Sequence, residues 1–186
     1  MKPASLIKIV ITTLIMIFFT GCLTFHKVSY VVKLTTPTAG TVSLTAYDIR
    51  STAKNNKEFD QDKNNLFQYM LKSKQFLADQ QTQGKNIISR KLYVEDGKLI
   101  GHGEYKFTEI KNVEEMKYDS GFHYLNLSLG DSVISTNGEI VKSKSFKRIM
   151  WDSTYKELKF TMLGNTFQSG GPFKSLAPYF NKKGKK

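Results

Sequence analysis

Residues 27–50, KVSYVVKLTTPTAGTVSLTAYDIR, contain the pattern from which the fold prediction starts. Every second residue from Val28 to Leu34 is apolar or aromatic, which is typical of a strand with one buried face. The TTPTAG segment that follows contains Pro and Gly and predicts a turn. A second alternation over 41–50 places on one side of the strand Val42, Leu44 and Ala46. We therefore expect the two strands to pair as an N-terminal β-hairpin.

Similar alternations recur along the rest of the chain, separated by residues that favour turns. We expect three further hairpins, formed by 87–96 with 98–110, by 131–136 with 139–145, and by 146–151 with 156–163. The second of these has Asn137-Gly138 at its centre, which is the strongest short signal for a hairpin turn. Residues 122–129 are expected to form one more strand.

Residues 60–81 predict one long helix, because their apolar side chains recur at spacings of three and four. The resulting stripe consists of Leu66, Phe67, Met70, Leu71 and Leu77. The expected fold class is α+β: a single antiparallel, curved β-sheet built from hairpins, with one long amphipathic helix packed on it. Whether the other face of the sheet stays open or closes into a half-barrel is left undecided.

The composition bounds the domain organisation. The chain has 186 residues, 40% of them hydrophobic and 24% charged, which fits a globular protein and excludes collagen-like and wholly disordered classes. The single cysteine excludes an internal disulfide. We expect one α+β domain over 28–163, followed over 164–186 by a Gly-rich basic tail that is partly disordered.

The first 22 residues, MKPASLIKIVITTLIMIFFTGC, have the layout of an export signal. Lys2 and Lys8 are positively charged, and the apolar run over 9–19 is too short to span a bilayer. Small residues Thr20 and Gly21 stand directly before Cys22. A small-residue site after a short apolar helix is what a signal peptidase cuts.

Residues Phe19-Thr20-Gly21-Cys22 resemble the lipobox of bacterial lipoprotein precursors, with Phe19 where Leu is commonest. The resemblance implies that residues 1–21 are a signal peptide. It also implies that Cys22 carries a diacylglycerol thioether and, on its new amino group, an acyl chain such as palmitate. Residues 22–27 would then be a short lipidated tether. The alternative is an uncleaved anchor helix that continues through Leu23 and Phe25.

The implied address is the cell envelope. In Gram-negative sorting an Asp after the lipidated Cys favours the inner membrane, and Leu23 stands there instead. We therefore expect the periplasmic leaflet of the outer membrane in a Gram-negative source. In a Gram-positive source the expected address is the outer face of the plasma membrane.

Positive charge is concentrated in the last quarter of the chain. The net charge is +12, from 28 Lys and Arg against 16 Asp and Glu, and residues 140–186 hold 11 of the basic residues but two acidic ones. The candidate contacts to an anionic surface are Lys142, Lys144, Lys147, Arg148, Lys159, Lys182, Lys183, Lys185 and Lys186. Anionic lipid headgroups, an envelope glycan or an acidic protein would each fit, as would a merely solvated face. Nucleic acid is not expected at an exported address.

The sequence contains no recognisable catalytic, cofactor or metal motif. The three histidines, at 26, 102 and 123, lack metal-ligand spacing, and His123 is expected to be a hydrogen-bonded core residue. The expected function is a non-catalytic, membrane-tethered binding or structural module, which could also hold an apolar ligand under the helix. The alternative is an envelope glycan hydrolase whose carboxylate pair comes from Glu104, Glu109, Asp119 and Asp131.

Overall fold

The computed structural model describes residues 23–164 and 173–180. Of these residues, 49% lie in strands and 22% in helical segments. The expected signal peptide (1–21), Cys22 and much of the expected tail (165–172 and 181–186) lie outside the described residues. The tail residues outside include Lys182, Lys183, Lys185 and Lys186.

The described residues form thirteen strands and five short helical segments. The strands are β1 (Leu23–Thr24), β2 (Lys27–Leu34), β3 (Gly40–Tyr47), β4 (Arg50–Ser51), β5 (Lys85–Glu95), β6 (Lys98–Phe107), β7 (Lys117–Asp119), β8 (Phe122–Leu127), β9 (Val133–Thr136), β10 (Glu139–Lys142), β11 (Lys147–Asp152), β12 (Glu157–Leu163) and β13 (Lys174–Ser175). The helical segments are α1 (Asn56–Asn64), a π-helical turn (Asn65–Met70), α2 (Lys74–Thr82), a 3₁₀ turn (Ile110–Asn112) and α3 (Ala177–Phe180).

The largest sheet has six antiparallel strands in the order β5-β6-β3-β2-β12-β9. Its centre is the predicted N-terminal hairpin, whose register pairs Lys27 with Tyr47 and Leu34 with Gly40. The predicted pairing of β5 with β6 is also confirmed. Their turn places Asp96 and Gly97 at φ 49° and 71°, which is the left-handed conformation that tight hairpin turns require.

Two smaller antiparallel sheets complete the strand pairing of the described residues. Four strands form a second sheet in the order β10-β11-β8-β7, and three short strands form a third in the order β1-β4-β13. Leu23–Thr24, within the segment expected as a tether, is thus part of the fold. The same holds for residues 174–175, beyond the expected end of the domain.

The core lies on one face of the six-stranded sheet. At one end of this face, Val42 and Tyr105 pack with Ile149 and Trp151 of the four-stranded sheet. At the other end, the same face continues through Leu99, which packs with Phe59, Leu66 and Leu176 from the helices and the C-terminal segment. Two different layers therefore share the burial of one sheet face.

The predicted single curved sheet with one long helix is wrong. A second sheet covers one part of the buried face, and the helical region is short and interrupted. The predicted stripe does begin as expected, since Leu66 is buried against the core, but Leu77 is 36% exposed and α2 has no buried residue. A helix that buries one turn cannot cover six strands, and the second sheet supplies the missing cover.

The predicted helix over 60–81 breaks at residue 73. Ser73 has extended backbone dihedrals (φ −68°, ψ 135°) and begins α2 as its N-cap, its hydroxyl accepting from the Gln75 backbone N–H at 3.0 Å. Serine competes for backbone hydrogen bonds in this way, which favours helix starts over helix interiors. The apolar spacing did not reveal this break.

The two predicted hairpins of the C-terminal half are also wrong. β9 pairs with β12 in the six-stranded sheet, whereas β10 pairs with β11 in the four-stranded sheet. Asn137-Gly138 therefore carries the chain from one sheet to the other. The Asn137 carboxamide oxygen accepts from Trp151 Nε1 at 2.8 Å and from the Lys159 backbone N–H at 2.7 Å. A Cβ on Gly138 would lie 2.5 Å from Trp151 Nε1, so this glycine is required by close packing.

Candidate functional site

The hairpin between β10 and β11 brings four of the candidate cations together. Lys142 pairs with Lys147 across the ladder, Val141 pairs with Arg148, and Lys144 lies in the connecting turn. We call residues 142–148 the basic tip. The turn is closed by the Ser143 backbone N–H, which donates to the Phe146 carbonyl at 2.8 Å. Positive side chains and an aromatic ring are thus held within one short loop.

Two of these cations are held by the protein itself. The Lys147 ammonium donates to the backbone carbonyl of Asp131 at 2.5 Å. The Arg148 guanidinium stacks between two rings, 4.7 Å from the centroid of Phe146 and 5.1 Å from that of Tyr124. Lys142 and Lys144 are exposed, and Phe146 is 39% exposed. The surface of the tip therefore consists of two exposed ammonium groups on the same short loop as an exposed aromatic ring.

Lys159 does not belong to this group. It lies on β12, in the other large sheet, and its ammonium makes an ion pair with Glu157 at 2.6 Å. That contact and the more distant Lys33 lower the pKa of the Glu157 carboxyl, with the Lys159 hydrogen bond as the largest cause. Lys182, Lys183, Lys185 and Lys186 lie outside the described residues, so their contribution stays a prediction.

A cleft of about 390 Å³ opens between the two large sheets, next to the basic tip. Leu23, Thr24 and Phe25 at the start of the described chain line it, together with Leu127 and Asp131. Leu127 is the register partner of Lys147, whose ammonium contacts the Asp131 carbonyl. The residues that directly follow Cys22 and the basic tip therefore lie at the same end of the fold.

Glu114 reaches this cleft from a strained turn. Glu114 and Glu115 have consecutive positive φ angles of 49° and 57°, each costing roughly 1–2 kcal/mol in a residue with a Cβ. The fully buried Val113 and Met116 hold the turn on either side. Burial, and after it the charge of the nearby Glu114 carboxylate, raise the pKa of Tyr30 well above its usual value.

No sequence signal identified Glu114 or Tyr30 as a pair. Glu114 lies beside a second glutamate in a loop, a pattern typical of a solvated turn, and Tyr30 has the period of an ordinary core position. Their contact depends on the left-handed backbone of the turn and on the packing of two sheets. Neither feature leaves a local pattern that could have been found.

The four carboxylates proposed for a hydrolase have separate local partners. Glu104 accepts from the Ser89 hydroxyl at 3.1 Å, and Glu109 pairs with Lys111 at 2.5 Å. The Asp119 carboxylate accepts from the Ser120 hydroxyl at 3.0 Å, and that of Asp131 from the Ser128 backbone N–H at 2.8 Å. These four contacts do not assemble a carboxylate pair. Over residues 23–164 and 173–180, no group of three or more His, Cys, Asp or Glu could hold a metal ion.

His123 is a core residue, as predicted, but one ring nitrogen has no partner. The residue is 2% exposed, and its Nε2 donates to the Pro37 carbonyl at 2.6 Å, which ties β8 to the turn between β2 and β3. Its Nδ1 is buried with no hydrogen-bond partner in the described structure. Burial lowers the pKa of the His123 imidazole, and the bond to Pro37 offsets part of that effect.

The described part of the chain has no helix of the length and apolar character needed to cross a bilayer. Comparison with known protein families, with curated proteins and with solved structures gave no match, so the geometry of the basic tip and the cleft is what bears on function.

Proposed function

We propose that this protein is a membrane-tethered envelope lipoprotein, a non-catalytic module whose basic tip contacts the anionic headgroups of the membrane that anchors it. Cys22 is the proposed point of lipid attachment. The proposed address is the periplasmic leaflet of the outer membrane in a Gram-negative source, and otherwise the outer face of the plasma membrane.

The shared position of the chain start and the basic tip supports this proposal. Leu23, the residue after Cys22, lines the same cleft as Asp131, whose carbonyl is held by Lys147 of the tip. A lipid on Cys22 would bring this end of the fold to the bilayer, where each nearby Lys gains about 1 kcal/mol from anionic headgroups. The exposed Phe146 ring fits the same position, because aromatic rings favour the membrane interface.

The contact is tested by co-sedimentation of residues 23–186 with vesicles of phosphatidylcholine alone or mixed with phosphatidylglycerol. We expect binding to the anionic vesicles and its loss as salt rises. The double variant Lys142→Ala, Lys144→Ala is expected to lose about 2 kcal/mol of binding free energy, which weakens binding to the anionic vesicles by about 30-fold. The matched control is Lys98→Ala with Lys106→Ala, two exposed lysines of β6.

Three results would count against the membrane contact. Binding that does not respond to salt would remove its electrostatic basis, and equal weakening by the control pair would show that net charge alone matters. If the protein does not bind anionic vesicles but does bind an anionic glycan or an acidic protein, the partner of the basic tip is not the membrane.

A further inference from the structure

The cleft between the sheets has apolar walls formed by both sheets. β2 and β12 contribute one wall and β8 the other, through Val28, Tyr30, Phe160, Met162, Leu125 and Leu127. A cavity of about 390 Å³ with such walls is in the size range of small-molecule sites in proteins. The cavity does not lie under the helix, where an apolar site was expected. The space between the helix and the sheet is filled by Phe59, Leu66 and Leu99.

The charge of this cleft is opposite to that of the chain. The net charge is +12, yet the charged residues among the described lining residues are Glu114 and Asp131, both acidic. No Lys or Arg of the described chain lines the cavity. The Lys147 ammonium lies beside the cleft, 2.5 Å from the Asp131 carbonyl, so the carboxylate of Glu114 is the charge without a lysine at its side. An anionic head group, such as that of a fatty acid, would meet a like charge at Glu114, whereas a cation would meet an opposite one.

The backbone that carries Glu114 is held in place. Its left-handed conformation is set between the buried Val113 and Met116, and its exposed side chain lines the cleft within electrostatic reach of Tyr30, a wall residue. The neighbouring Tyr105 hydroxyl is buried without a hydrogen-bond partner in the described structure and lies within the electrostatic reach of the same carboxylate. Strained backbone that aims a charged group into a cavity is typical of binding sites.

We propose that the cleft binds a single-chain amphiphile with a cationic ammonium head, the alkyl chain lying between the sheets and the ammonium against the carboxylate of Glu114. Asp131 adds a second negative charge at the cleft. This proposal does not depend on membrane anchoring or on the basic tip, because it uses other side chains.

The test uses the full chain in phosphatidylcholine nanodiscs, labelled with ¹³C at its methionine methyl groups. Met162 lines the cleft, so its methyl signal, assigned with Met162→Leu, reports occupancy. Dodecylamine, dodecanol and dodecanoate are titrated below their micellar concentrations at pH 7.5, where the head groups of dodecylamine and dodecanoate carry opposite charges. We expect a saturable shift with dodecylamine, at a concentration at least tenfold lower than with dodecanoate.

Glu114→Gln is expected to abolish this tenfold preference, whereas Glu115→Gln, in the same turn but not lining the cleft, is expected to retain it. If Glu114→Gln alters the unliganded Met162 signal, Asp131→Asn replaces it and should reduce the preference at least threefold. The proposal is overturned by the absence of a saturable shift with dodecylamine, by equal binding of dodecanoate, or by a preference that persists in the Glu114 variant. Every variant leaves the basic tip unchanged. If the amphiphile does not bind in the cleft, the outcome of the vesicle experiment is therefore unaffected.

Discussion

At the scale of single residues, His123 couples the fold to pH. Its Nε2 donates to a carbonyl, so the buried and unpartnered Nδ1 carries the lone pair of a neutral ring. Protonation would place a charge and a donor where no acceptor lies. Burial accordingly lowers the pKa of His123 below its ordinary value of 6.5. The residue stabilises the fold in its neutral form.

We expect the free energy of unfolding to fall as pH drops below about 6.5. In this range His123 binds a proton in the unfolded chain but remains neutral in the folded one. The free energy of unfolding falls by at most about 1.4 kcal/mol per pH unit. It stops falling once the pH is below the lowered pKa of His123 in the folded state. Urea unfolding at pH 7.5, 6.0 and 5.0 measures it. His123→Gln should flatten this dependence, while His102→Gln, on the half-exposed face of β6, should keep it. A wild-type stability that is constant over this range would contradict the assignment.

At the scale of elements, the interrupted helical region is fixed to the sheet by Arg90 of β5. Its guanidinium donates to the Met70 carbonyl at 2.8 Å and to the Ser73 carbonyl at 3.0 Å, which are the backbone acceptors at the break. The same group stacks 5.4 Å from the centroid of the Phe76 ring in α2. Because α2 buries none of its residues fully, this fork is the best-defined contact that holds it.

Arg90→Met is therefore expected to lower the free energy of unfolding by about 1–3 kcal/mol, since two carbonyls lose a charged donor. Arg90→Lys should recover less than half of that, because an ammonium cannot reproduce the planar fork. Chemical denaturation measures both, and hydrogen exchange should show faster opening over α2. Lys91→Met, the exposed neighbour, is the control. Equal loss in the control, or full rescue by Lys, would show that the fork is unimportant.

At the scale of the whole molecule, one end of the sandwich collects the features that bear on function. The chain start (23–25), the cleft and the basic tip (142–148) meet there, although the cleft is lined by residues as far apart in sequence as 28–30, 114–131 and 160–164. The charge asymmetry of the chain made Lys159 a candidate contact together with the lysines of 142–148. The structure places Lys159 on β12, in the other large sheet, and its part in an anionic contact stays a prediction. An excess of basic residues counted along the sequence does not show which of them lie in the same sheet, because consecutive strands such as β11 and β12 can belong to different sheets.

The address of the molecule is tested at Cys22. We expect mass spectrometry of protein purified from the native envelope to show residues 22–186 with a diacylglyceryl group, and with a further acyl chain where the amino group is modified. Cys22→Ser should retain residues 1–21 and gain no lipid, because it removes the thiol that we propose as the attachment point. Recovery of an unmodified Cys22 after removal of the leader would overturn the proposed anchor.

The alternation of side chains was enough to place most strands of the fold. It also predicted the two hairpins, β2–β3 and β5–β6, whose partners are joined by short turns. Side-chain periodicity indicates which face of a strand is buried. When the connecting turn is short, the next strand in the chain is the only nearby strand with which the first can pair. The layout typical of an export signal over residues 1–22 and the basic character of residues 140–148 are likewise visible from residue types alone.

Tertiary structure alone decided the partners of the four strands β9 to β12, the break of the helix and the existence of the cleft. Asn137-Gly138 has the residues of a hairpin turn, but its hydrogen bonds to Trp151 and Lys159 use them to link two sheets. Likewise, the approach of Glu114 to Tyr30 depends on a left-handed turn that no local pattern indicated. Burial over a whole sheet face outweighs the local preference of two residues, because it removes far more apolar surface from water than one turn can contribute.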